Sequence, residues 1–124
     1  MLFDWTKYLV LAEELGLRHD DEAALRSAVS RAYYAAFCKA RNRLSLEGVD
    51  IPKMDVHSFV WNRYREAVGE LRRSIGTTGD RLRRSRNKAD YDDEVPRLST
   101  IVQDTTIRTR RLLESLENLS HVAP

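Results

Sequence analysis

DEAALRSAVSRAYYAAFCKARNRLSL, residues 21–46, reads as one long helix. Leu25, Val29, Ala32/Tyr33, Ala36/Phe37, Ala40 and Leu44 recur at steps of three and four, which keeps one apolar stripe on one side of a 3.6-residue helix. Alanine dominates the stretch; it favours helix and lets a neighbouring backbone come close, while Tyr33, Tyr34 and Phe37 add bulk at the centre. Such a helix belongs in the middle of a bundle. Arg31 and Tyr34, three apart beside the most apolar segment, have polar tips that a surface position would also satisfy.

Working outward, Asp4 precedes the periodic residues Trp5, Tyr8, Leu9, Ala12 and Leu15, so a first helix is expected over about residues 4–15, capped by the Asp and closed near Gly16. Asp20 or Asp21 caps the long helix and Gly48 ends it. Residues 49–54 read as a loop, and Asp55 as the cap of a third helix whose stripe of Val56, Val60, Tyr64, Ala67/Val68 and Leu71 runs to about Arg73. Gly76-Thr77-Thr78-Gly79 reads as a flexible turn before a short fourth helix over residues 80–88. Asp92 to Pro96 form an acidic break. Beyond it Leu98, Val102, Thr105, Thr109, Leu112, Leu116 and Leu119 alternate four and three, the spacing of a bundle or coiled-coil member.

No stretch alternates with period two. The expectation is therefore an all-α antiparallel bundle of about five helices, forming a single domain over residues 1–124. Trp5, Trp61 and Phe59 sit among apolar neighbours and read as core or dimer-seam residues rather than base-stacking platforms. The length of the last stripe, with the small size of the chain, points to a dimer. Lone Cys38, in an apolar helical run, reads as a buried small residue in a reducing compartment. Asp4 and Lys7 interrupt any signal-peptide core, and the run Ala32 to Cys38 is too short to span a bilayer, so a cytoplasmic protein is expected.

Charged residues make up 32% of the chain, yet 21 Lys+Arg against 19 Asp+Glu leave a formal charge of only +2. Distribution matters more than the total. Between Arg72 and Lys88 stand seven cations against one carboxylate, Asp80, a segment able to attract phosphates. His19, His57 and His121 are scattered without ligand spacing, so no metal is expected; no serine or cysteine has the context of a nucleophile turn, and GTTG lacks the flanks of a phosphate loop. No cofactor is expected either.

What remains is RLRRSRNKADYDDE, residues 81–94, where charge switches from positive to negative across Ala89. Arg86 and Asp90, four apart, pair on a helix. That pair reads either as a solvated ion pair at a helix end, worth about 0–1 kcal/mol, or as part of an anion or RNA site. Arg86 and Tyr91 lie about 140° apart round a helix and converge only if it ends near Ala89.

Three segments in chain order, ALRSAVSRAYYAAF (residues 24–37), VHSFV (56–60) and RNKADYDD (86–93), resemble the HEPN domain family. The resemblance implies a small helical bundle, commonly a homodimer. Many family members are metal-independent ribonucleases, found as toxins or in prokaryotic defence, often encoded beside a nucleotidyltransferase-type antitoxin. For this chain it implies an RNA or nucleotide partner, and a catalytic or phosphate-holding role for Arg86. The family's active motif is an Arg, four to six residues, then a His; here those positions hold Tyr91, Asp92 and Asp93. A tyrosine, with an ordinary pKa of about 10, is a poor base at neutral pH but can donate a hydrogen bond to phosphate. His57 is a candidate substitute. The resemblance thus implies a cleft between the long helix and the fourth, with Arg86, Tyr91, Asp90 and His57 as catalytic candidates and Arg31, Tyr34, Arg83, Arg84 and Lys88 as nucleic-acid contacts. A non-catalytic RNA binder is one outcome and an endoribonuclease toxin another. The remaining one is a helical adaptor that associates through Val102, Leu112 and Leu116.

Overall fold

The computed structural model describes residues 2–119. It is all-helical: α1 (Thr6–Leu15), α2 (Glu22–Leu46), α3 (Val56–Arg65), α4 (Glu70–Tyr91) and α5 (Leu98–Glu117) form a bundle. No helix among the described residues is long and apolar enough to cross a membrane. His121 lies outside them.

The long helix is the central one. Ala28, Val29, Ala32, Tyr33, Ala35, Ala36 and Ala40 are fully buried, and α1, α4 and α5 pack around it. Asp21 begins it as expected, its carboxylate accepting from the Ala24 amide at 3.1 Å, and Asp4 accepts from the Thr6 amide at the start of α1. Gly48, at φ +88°, follows its end. Asp55 instead stands at the start of α3 in a left-handed conformation and makes no side-chain cap.

Cross-helix contacts set the directions. α2 runs antiparallel to α4, with Ser30 near Asp90 and Glu47 near Arg72, but parallel to α3, with Tyr33 on His57 and Tyr64 donating to the Ala40 carbonyl at 2.8 Å. A parallel neighbour needs a return path. Residues 47–55 run back along α2 by about 13 residues of rise, roughly 20 Å, a span that nine residues cover easily. Val49 and Ile51 pack on the core along the way. This return delivers His57 to the middle of α2.

The boundary between α3 and α4 differs from the sequence expectation. The break is at Glu66–Gly69, with Gly69 at φ +109°, while GTTG lies inside a 22-residue α4. Val68, expected in an apolar stripe, is 95% exposed. Gly76 and Gly79 serve close approach. A Cβ at Gly79 would stand 2.2 Å from the Trp61 ring, and one at Gly76 would stand 2.6 Å from the Arg65 backbone nitrogen. The two helices therefore cross nearly backbone to backbone, and the glycines that look like a turn are the contact surface.

The α5 stripe is also spent internally. Leu98, Val102, Thr105, Thr109, Leu112 and Leu116 are all buried within the chain's own bundle, so the dimer seam and adaptor surface expected there are already covered. Thr109 Oγ1 reaches the Ala32 carbonyl at 3.4 Å, whereas fully buried Thr105 Oγ1 has no partner among the described residues.

Two stability changes follow. Gly79→Ala gains about 1 kcal/mol of helix propensity yet should lower stability by about 1–3 kcal/mol in urea unfolding, because the methyl has no space beside Trp61. Thr105→Val removes an unpaired hydroxyl at constant shape and should raise stability by about 1 kcal/mol in the same measurement.

Candidate phosphate and nucleic-acid site

Two adjacent tyrosines on α2 divide the labour. Tyr33 points inward and is fully buried; its hydroxyl accepts from Trp61 Nε1 at 3.0 Å and meets His57 Nδ1 at 2.6 Å. With Trp61 donating, the hydroxyl proton has Nδ1 as its acceptor, which leaves the imidazole proton on Nε2. Burial pushes the Tyr33 phenol well above its ordinary pKa, so the proton stays on the hydroxyl. Phe37 stacks on the His57 ring at 4.0 Å between centroids. Burial first, then the cations Arg83, Arg86 and Arg41, hold the imidazole down to a pKa of about 4. At neutral pH His57 is therefore uncharged, and its free edge donates.

Tyr34 faces the surface. Its hydroxyl accepts from Arg86 Nη2 at 2.7 Å, while Arg86 Nη1 donates to Asn87 at 3.0 Å. Arg86 Nε stands 2.9 Å from Asp90 Oδ2, but off the N–H direction, so the ion pair leaves Nε without an aligned hydrogen bond. Ser30 donates to the same carboxylate oxygen at 3.3 Å. The guanidinium lies over three rings, Tyr34 at 5.1 Å, Tyr91 at 5.8 Å and Tyr33 at 5.9 Å, and its side chain is 15% exposed. An arginine this enclosed has its fork oriented before any ligand arrives.

Of the residues singled out from sequence, Arg86, Asp90, Tyr91, Tyr34 and His57 thus come together, with Arg83 on their edge donating to Ser58 at 2.9 Å. Tyr91 is reached even though α4 continues to it, because the long Arg86 side chain spans the angle. Arg31 is not brought in; it lies over Tyr8 of α1 at 5.1 Å. Arg84 and Lys88 are exposed farther round α4, Arg84 3.4 Å from Asp80.

Sequence reasoning missed Tyr33 as a polar relay, Ser30 and Asn87 as supports, and above all Arg26. Its guanidinium reaches across to the carbonyls of Ala89 at 3.1 Å and Asp93 at 3.0 Å, a cation at the negative end of α4 that fixes where Asp90 and Tyr91 stand. Nothing in its local sequence separates it from other helical arginines. Among the described residues no group of three or more His, Cys, Asp or Glu is placed to hold a metal ion. No family model, curated protein or solved structure matches the chain.

The His57 environment has a pH signature. Its folded pKa near 4 lies below the ordinary 6.5, so between these values the unfolded chain binds the extra proton. Stability should fall as pH drops from about 6.5 towards 4, and His57→Gln should flatten that part of the curve in denaturant titrations compared with the unaltered protein.

Proposed function

We propose that this chain is a HEPN-like RNA-binding domain in which Arg86 holds a backbone phosphate. The observation that carries the reading is the gathering of Arg86, Tyr34, Asp90 and His57, from three helices, in one cluster. Arg86 offers an oriented guanidinium whose Nε is buried and whose Nη2 stands beside the Tyr34 phenol, and these groups, with the His57 Nε2–H, are donors suited to phosphate oxygens. Tyr91 is 74% exposed and presents a ring on which a base can stack. Arg83, Arg84 and Lys88 supply further cations along α4. The family resemblance extends the proposal to a cytoplasmic homodimer, opposed by a nucleotidyltransferase-type antitoxin in a prokaryotic toxin or defence system.

The same geometry bears on cleavage. A general base for the 2′-hydroxyl needs a free lone pair near neutral pH. His57 spends its acceptor nitrogen on Tyr33, and its low pKa weakens it further. Binding without cleavage is therefore the reading adopted. A metal-independent endoribonuclease is the second reading, favoured by the presence of an imidazole and an arginine in one cluster.

The two separate on structureless RNA. Binding should weaken with salt and lose about tenfold or more in affinity on Arg86→Ala, about 1.5–3 kcal/mol for a charge-assisted contact, with Arg86→Lys intermediate and the RNA intact throughout. Cleavage by the unaltered protein that Arg86→Ala or Tyr91→Phe abolishes would replace the binding reading with the ribonuclease. Absence of any salt-sensitive binding would remove both.

A further inference from the structure

Between the N-terminal half of α4 and α5 lies a recess of about 310 Å³. Ile75 and Leu112, both buried, are its apolar residues; Ser74, Thr78 and Ser115 bring three hydroxyls and Arg108 and Arg111 two guanidiniums. No carboxylate lines it. The nearest acid in the ion-pair network, Asp104, is shared between Arg108 at 2.8 Å and Arg81 at 3.7 Å. Arg81 and Arg108 thus share one counter-charge, while Arg111, which also lines a neighbouring recess with Glu13 and Glu114, has no hydrogen bond or ion pair among the described residues. The three hydroxyls likewise make no side-chain hydrogen bond.

We propose that this recess binds the terminal phosphate of a phosphomonoester. The donor inventory argues for a monoester. The Arg111 fork, the Arg108 nitrogens not spent on Asp104 and the three hydroxyls match the three charged oxygens of a monoester dianion better than the two of a phosphodiester. The apolar residues leave room for part of the ester group, and the volume lies at the lower end of small-ligand sites. The contrast with the recess lined by Arg63, Arg72, Glu47 and Glu66 is instructive: there two carboxylates share the lining with the arginines, and Glu47 is already paired with Arg72 and Arg43. In the α4–α5 recess Arg108 is paired with Asp104, and Arg111 is left without an ion pair among the described residues. The proposal does not depend on RNA binding at Arg86, because the two sites use different stretches of α4, residues 74–78 and residues 86–91.

The test is an amide chemical-shift titration at constant ionic strength with inorganic phosphate, a nucleoside 5′-monophosphate, and a dinucleoside monophosphate that has no terminal phosphate. The first two should give saturable shifts at residues 74–78 and 108–115, and the dinucleoside monophosphate should bind about tenfold more weakly there. Arg111→Gln should weaken the monoester by about tenfold, while Arg86→Gln leaves these shifts intact. Shifts that sodium chloride reproduces, that survive Arg111→Gln, or that vanish in a folded Arg86→Gln protein would overturn the proposal. Equal affinity for the diester would overturn it too.

Discussion

Trp61 is held from two sides, and the rest of the molecule is arranged around that fact. One face of its indole lies where a side chain at Gly79 would otherwise be, and its Nε1 donates to the buried Tyr33 hydroxyl. A large ring fully buried between two helices fixes both their separation and their register, because each neighbour has one place to stand. The separation sets how near α3 comes to α4. The register puts His57 against Tyr33 and Arg83 against Ser58. Without the glycines α4 would ride higher on α3, and the Arg86 side chain would meet α2 at a different depth.

The enclosure of Arg86 is an electrostatic problem with a local solution. Removing a guanidinium from most of its water is unfavourable unless other groups replace that water, and here the replacements are a carboxylate, an amide oxygen, a phenol and three aromatic faces. Only one of these carries a full charge, and it is off line with Nε. The result is a cation held in place more firmly than it is neutralised, with Arg83 beside it. Its field acts on His57, whose imidazole stays neutral partly because Arg83 and Arg86 oppose a further positive charge. An arriving anion would relieve that opposition.

How much of this was legible in the chain depends on the kind of information each residue carries. The α2 and α5 stripes have periods that any partner satisfies, so the helices and their buried faces follow from spacing alone, and Asp21 caps where capping chemistry requires. Which glycine breaks a helix does not follow from composition. Gly69 needs a positive φ and Gly76 and Gly79 need a close neighbour, yet all three look alike until Trp61 is in place. The site shows the same division. Arg86, Asp90 and Tyr34 stand out by charge pattern and helical spacing, whereas Arg26 acts on α4 from 63 residues away and Tyr33 passes for core bulk. The seam read from α5 failed for a related reason: an apolar stripe records that something covers it and is silent on whether the cover comes from the same chain.

The absence of a histidine after Arg86 changes what the cluster can do in a directional way. The groups gathered at Arg86 are mainly donors: the guanidinium itself, and His57 through Nε2 because Tyr33 occupies Nδ1. Asp90 is the exception, and its carboxylate is engaged by Ser30 and Arg86. A surface of donors suits anionic oxygens, but it supplies no free lone pair to take a proton. For His57 to act as a general base its ring would have to release Tyr33 and expose a lone pair. That release would leave a buried phenol unpaired beside Trp61, at the point where the packing of α3 on α4 is tightest.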